Sequence, residues 1–257
     1  MTKNKSRARR SIMKDIKLIA LDMDGTLLND NQEVPERNRK AIEQALAKDV
    51  HVVLSTGRGF NTCYPYAVDL ELPSYLITAN GAEIWTMEKE LLRRRKLESE
   101  MIEKLYNITT QVGAEMWMIS TEGAFNGNFP NDFNKYEWLK FGCHTDDQRK
   151  LDILIKEFSK FEELELSNSL PMNIEVNARG VSKADALEFL CERIGITMDN
   201  VLACGDSLND IKMIQGSGVG VAMGNAQEAI KKVADYESVT NNEGGVGEAI
   251  EKFVLNV

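Results

Sequence analysis

The sequence predicts an α/β fold, an open parallel sheet interrupted by a second, α+β unit. Two observations carry this. Short apolar runs alternate with amphipathic helical stretches over residues 15–86 and again over 179–257. Between them, residues 87–178 are first densely charged and then rich in aromatics, with mixed elements in irregular order.

"KLIALD" (17–22) reads as a buried strand, apolar, brief and stopped by Asp and Gly. "PERNRKAIEQALAKD" (35–49) reads as a helix, with Pro35 suited to the first turn and Ala41, Ile42, Ala45 and Leu46 on one stripe. "VHVVLST" (50–56) and "SYLITANG" (74–81) read as the second and third strands, and strand–helix–strand alternation implies parallel pairing through right-handed crossovers. The inserted unit, placed at 87–178, is expected to hold helices at 98–111 and 146–159, strands at "AEMWMIS" and "MNIEVN", and a loop at "NGNFPND". The α/β pattern resumes with a helix at 180–195, where Ser182 caps and Asp185 follows three later. A strand at "NVLACGD" (200–206), a helix at "NDIKMIQGSG", a strand at "VGVAMG", a helix at "AQEAIKKVAD" and a helical tail complete it. The run "GSGVGVAMG" has the wrong spacing for a dinucleotide loop and reads as turn and close-packing glycine.

Composition narrows the function classes. The chain has 257 residues and a net charge of −9, but its first 14 residues carry six basic groups and no acid. The remainder is therefore more acidic than the whole, which argues against nucleic acid as a partner. The basic head, residues 1–14, has no apolar core of a secretory signal and reads as a disordered extension. No apolar stretch approaches the roughly 20 residues that span a bilayer, so no membrane partner is expected. Four dispersed cysteines and two histidines make a disulfide framework or a transition-metal site improbable. They fit a reducing, cytoplasmic compartment, and any metal should be a hard cation held by oxygen. Oligomeric state is not legible.

The informative pattern is where polar residues fall. Asp22 and Asp24, Ser55 and Thr56, Asn80, and Asp206 each close an apolar strand. Ligands bind outside the carboxyl ends of such strands, so these residues should converge, with Lys183 at a helix start and Asp210 nearby. Taken singly, each is most simply a turn former, a cap or a solvated charge. Their ordered recurrence is what argues for a site. Asp22 and Asp24 are two apart, about 6.6–6.8 Å along a strand and on one face. Gly25 permits a sharp turn that brings main-chain N–H groups inward. Carboxylates so close require a proton or a cation, and the site could use both. Asp22 and Asp206 would hold Mg2+, and Asp24 would protonate a leaving oxygen. Lys183, Thr56 and backbone N–H groups would steady a phosphoryl group while Asp22 attacks it.

The motifs "DMDGT" (22–26), "STGR" (55–58), "SK" (182–183) and "GDSLND" (205–210) resemble, in order, the four motifs of the haloacid dehalogenase superfamily. "ITANGAEI" (77–84) and "VGVAMGNA" (219–226) resemble its Cof-type branch of Mg2+-dependent phosphatases, and insertion after the third strand is similar to that branch's C2-type cap. The resemblance implies a Rossmann-like doubly wound core and hydrolysis of small phosphate monoesters, such as sugar phosphates, through an aspartyl phosphate. It implies Asp22 as nucleophile and metal ligand, and Asp24 as acid/base and metal ligand through its carbonyl. Thr56, Gly57, Lys183 and Asn209 would bind phosphate, Asp206 and Asp210 would complete the metal site, and Asn80 would face substrate. Ala184 stands where the family often has Gly. Two alternatives stay open: a phosphomutase sharing this site, and a non-enzymatic phospho-acceptor, which Asp24 and the large insert fit badly.

Overall fold

The computed structural model describes residues 15–257; the basic head expected at 1–14 lies outside the described residues. In chain order the elements begin with β1 (Leu18–Leu21), α1 (Glu36–Leu46), β2 (His51–Ser55), α2 (Phe60–Asp69), β3 (Tyr75–Thr78), β4 (Glu83–Thr86) and β5 (Leu91–Arg94). A second group follows: α3 (Ser99–Val112), β6 (Glu115–Ser120), β7 (Gly123–Asn126), β8 (Trp138–His144), α4 (Gln148–Phe158), β9 (Leu164–Ser167) and β10 (Asn173–Ala178). The chain then returns through α5 (Lys183–Ile194), β11 (Val201–Gly205), α6 (Ile211–Gly216), β12 (Val219–Ala222), α7 (Glu228–Lys231), β13 (Tyr236–Glu237) and α8 (Gly245–Ile250).

The first sheet runs β13-β12-β11-β1-β2-β3-β4-β5. It is parallel from β13 to β3, and β4 and β5 add an antiparallel edge. Helices cover both faces, so β1 is apolar throughout. Ile19 and Leu21 join the cluster that packs α1, α2 and α8, while Leu18 and Ala20 join the one that packs α5. The second sheet, β7-β6-β8-β10-β9, is antiparallel. One of its faces packs Phe141, Ile174 and Val176 on α3 and α4 through Ile102, Leu105, Leu154 and Phe158. Strand alternation then turns Lys140, Glu175 and Asn177 to the other face, which meets the carboxyl ends of β2 and β3 in the first sheet.

Three expectations are corrected. The unit boundary expected between residues 86 and 87 falls within the β4–β5 hairpin, so the core sheet runs on to Arg94 before the insertion. Its charges hid β5, because Arg93 pairs with Asp185 and Arg94 with Glu83 instead of facing solvent. Pro35 stands at the N-cap ahead of α1 and not in its first turn. The helix expected over 226–235 is reduced to α7. Ser182 caps α5 as expected by accepting from the Asp185 N–H, and an added Cβ at Gly218 or Gly220 would collide with backbone oxygens of Asp199 or Ile214.

Candidate active site

Register brings the strand ends to one level. Leu21 of β1 is opposite Leu54 of β2 and Cys204 of β11, so Asp22, Ser55–Thr56 and Gly205–Asp206 leave the sheet together. Asp22 N–H donates to the Cys204 carbonyl at 3.1 Å, and Thr56 N–H to the Ile77 carbonyl at 2.9 Å, extending the sheet to the candidate site residues. The chain turns directly after Asp22, with Leu27 N–H bonded back to the Asp22 carbonyl. Gly25 takes φ +77° in this turn, and a Cβ there would lie 2.7 Å from Asp206 Oδ2. Glycine is thus required both by backbone conformation and by the approach of the acid.

Asp22, Asp206 and Asp210 each direct a carboxylate oxygen into one cluster, all within 4.8 Å of one another. Lys183, fully buried at the start of α5, donates to Asp22 Oδ1 at 2.5 Å and Asp210 Oδ1 at 2.7 Å. Asp210 Oδ2 accepts the Asp206 and Ser207 N–H groups, so this carboxylate is committed to holding Lys183 and the 206–207 turn. Thr26 and Ser207 hydroxyls support Asp206 at 3.3 and 2.9 Å.

The electrostatics have a clear sign. Burial pushes the Asp22 carboxyl well above the ordinary range; Lys183 opposes this and Asp210 and Asp206 add to it. Burial, then the Asp210 charge, raises Asp206 to about 7 against Ser207 and Lys183. Burial disfavours the Lys183 cation, but Asp210 and Asp22 outweigh it and raise its pKa. When ionised, the three carboxylates face one ammonium, an excess of two negative charges that a divalent cation would neutralise. An all-oxygen donor set suits a hard ion such as Mg2+.

Asp24 is placed differently. Its carboxylate lies outside the cluster and forms a two-point pair with Arg58, 2.8 Å from Nε, while Arg58 also contacts Gln32. Burial raises the Asp24 carboxyl, but the Arg58 hydrogen bonds and charge outweigh it and leave it below the ordinary range. Arg58 was not singled out from sequence, although it closes the "STGR" motif. Thr56 is buried, and its Oγ accepts the Arg58 N–H at 3.1 Å.

Asn80 is buried beside the cluster and accepts from Asn209 Nδ2 at 3.3 Å. Two further residues had not been foreseen, Lys140 of β8 and Glu175 of β10. Lys140 Nζ lies 2.8 Å from the Gly57 carbonyl and 2.8 Å from Glu175 Oε1, and Asn80 Nδ2 donates to Glu175 Oε2 at 2.7 Å. The signal was present in "NIEVNA", where Glu175 and Asn177 alternate with apolar Ile174 and Val176. A segment between β9 and β10 also reaches the site. The Asn168 carbonyl accepts Asn209 N–H at 3.0 Å, and the Ser169 carbonyl accepts the Ser207 hydroxyl at 2.9 Å.

A sequence profile described as haloacid dehalogenase-like hydrolase matches residues 19–144 and 128–250, spanning every motif named above. The chain belongs to this family. It is 48% identical over 241 residues to the 5-amino-6-(5-phospho-D-ribitylamino)uracil phosphatase YcsE of Bacillus subtilis, covering 94% of this chain and 97% of that protein. It is 30% identical to a phosphoglycolate phosphatase of Methanobrevibacter smithii, covering 94% and 100% of the two chains. Among solved structures, a haloacid dehalogenase-like hydrolase from B. subtilis superposes with a TM-score of 0.87 at 26% identity, over 93% of this chain and 100% of that one. No described helix is long and apolar enough to cross a membrane.

Proposed function

We propose that the protein is a Mg2+-dependent phosphatase that hydrolyses a small phosphate monoester through an aspartyl phosphate on Asp22. The observation that carries this reading is the acidic cluster, in which Asp22, Asp206 and Asp210 bring carboxylate oxygens within 4.8 Å of one another and one buried lysine pairs with only two of them, Asp22 and Asp210. Asp22, Asp206 and the Asp24 carbonyl would hold the ion, which when bound supplies positive charge against the transferring phosphoryl group. Asp210 supports the site through Lys183 and the 206–207 turn.

The remaining steps belong to the chain. An Asp22 oxygen attacks phosphorus as the ester oxygen departs with a proton from Asp24. Water then gives a proton to Asp24, attacks the same phosphorus and frees Asp22 with release of inorganic phosphate. Lys183, Thr56, the Gly57 N–H and Asn209 steady the non-bridging oxygens. The Arg58 pair holds Asp24 ionised, as water activation requires; delivering a proton to the leaving group requires that pair to open. The second sheet acts as a cap that excludes water and reads the leaving group. The 48% identity to an enzyme named for a phosphorylated ribitylaminouracil supports a phosphorylated polyol chain on a small heterocycle as substrate class.

The test is turnover of a panel of phosphorylated metabolites, including 5-amino-6-(5-phospho-D-ribitylamino)uracil. Asp22→Asn should lower kcat by at least about 10^4-fold with the fold intact by circular dichroism. EDTA should silence the wild type and Mg2+ restore it. Substantial hydrolysis by the variant, or activity indifferent to EDTA, would refute the mechanism.

A further inference from the structure

We infer that Lys140 and Glu175 form a hydroxyl-reading subsite for the leaving group, selecting neutral, hydroxylated esters and rejecting those with a second anionic group. This inference rests on the phosphatase reading above. Both side chains are almost fully buried, and both project mid-strand from the second sheet onto the phosphate-binding loop. A Cβ built on Gly57 would stand 3.0 Å from Lys140 Nζ and 3.5 Å from Glu175 Oε2. A phosphoryl group bound at Gly57 and Lys183 therefore places its ester oxygen and leaving group beside this pair.

Stability alone is a poor reason for the pair. Removing two charges from water costs about as much as their attraction returns, and apolar substitutes usually do as well. The surrounding backbone is also held at a cost. Ala79 and Asn80 have φ of 49° and 60°, a region unfavourable for a residue with a Cβ. The Asn177 amide fixes the Ala79 carbonyl at 3.0 Å, and Asn80 N–H bonds the Thr56 carbonyl at 2.9 Å. The structure thus invests strain and buried charge at one point of the seam between the sheets.

Hydrogen-bond capacity identifies the ligand. An ammonium has three N–H groups, and Lys140 commits two, to Gly57 and Glu175. A carboxylate has about four acceptor positions. Glu175 fills three, with Lys140, the Ser169 hydroxyl at 3.2 Å and Asn80. One donor and one acceptor remain side by side, which is the complement of a hydroxyl group. The neighbours Asn80 and Asn177 are neutral, and the pair itself has no net charge. A leaving group bearing a carboxylate or second phosphate would therefore meet the Glu175 charge at a point where the adjacent cation, Lys140, is already neutralised by it, a repulsive element of the kind that creates specificity.

The experiment measures kcat/KM for ribitol 5-phosphate, 2-phosphoglycolate and para-nitrophenyl phosphate. E175Q should lower the ribitol 5-phosphate to 2-phosphoglycolate ratio by at least about tenfold, since Lys140 is left to attract the anion. K140M should raise that ratio, since Glu175 is left uncompensated. The double variant K140M/E175L leaves no orphan charge and keeps the readout should a single variant fail to fold. It should lower the ribitol 5-phosphate to para-nitrophenyl phosphate ratio at least tenfold. Ratios within threefold of wild type, including equal losses on all three esters, would mean a structural latch and overturn the inference. A wild type that turns over none of these esters, nor any other in the metabolite panel, would overturn the phosphatase reading itself.

Discussion

The two sheets hold their polar residues by opposite rules. In the first, β1 and β11 are buried on both faces, so every residue from Leu18 to Leu21 and from Val201 to Cys204 is apolar. Chemistry is confined to the strand ends, where Asp22 and Asp206 stand. In the second, β8 and β10 are apolar on the helix side but carry Lys140, Glu175 and Asn177, beside Leu139, mid-strand on the side that meets the first sheet. Under the proposed function, the first arrangement fixes where phosphorus would react, and the second adjoins whatever phosphorus is attached to. Their charge differs accordingly. The strand-end cluster is short of two positive charges, whereas the Lys140–Glu175 pair is balanced.

Substitutions on the two sides should separate along that line. After the loss already expected of Asp22→Asn, the largest effect belongs to Lys183→Met, which removes the ammonium between Asp22 and Asp210. It should lower kcat by about 10^2–10^3-fold for every ester alike, by analogy with losing one preorganised charge at a transition state. A loss that varied with leaving group would break the distinction between the sides. Changes at Lys140 and Glu175 should give the smaller, substrate-dependent shifts described above.

A weaker effect concerns stability and pH. Asp206 has its pKa raised from 3.8 to about 7, and Asp22 is raised in the same direction, chiefly by burial. The metal-free folded state thus holds protons that the unfolded chain releases. Its stability from these groups is full below about pH 4 and is lost as pH rises toward 7. Thermal melting of the metal-free protein should show Tm falling by a few degrees over that interval relative to Asp206→Asn, with Mg2+ restoring it at pH 8 and not at pH 5. A metal-free Tm that rises over the interval more steeply than that of Asp206→Asn would contradict the charge balance drawn for the cluster.

These same rules decide what was legible in the sequence. The first sheet was readable because a doubly buried strand announces itself as an apolar run and its candidate site residues as the first polar groups after it. Asp22, Thr56, Asn80 and Asp206 were found that way, and Lys183 by its place behind the Ser182 cap. Asp24 was expected at the same strand end, but its carboxylate lies outside the cluster and its partner was not foreseen, because the Arg58 contact depends on a turn geometry that spacing does not encode. Lys140 was lost in "WLKFGCH", where pairing steps from Ile119–Lys140 to Ser120–Trp138 and leaves Leu139 of β8 as an extra residue, disturbing the alternation that would have exposed it. β5 was lost because paired arginines look like a solvated linker until Asp185 and Glu83 are seen across from them.

The most direct test of the account is calorimetric titration of the metal-free protein with Mg2+ at pH 8, beside Asp206→Asn and Asp22→Asn. One ion per chain should bind the wild type, and each variant should lose at least about tenfold in affinity, as expected for one charged oxygen ligand removed from a buried site. Wild-type affinity in both variants would show that these two carboxylates do not share an ion.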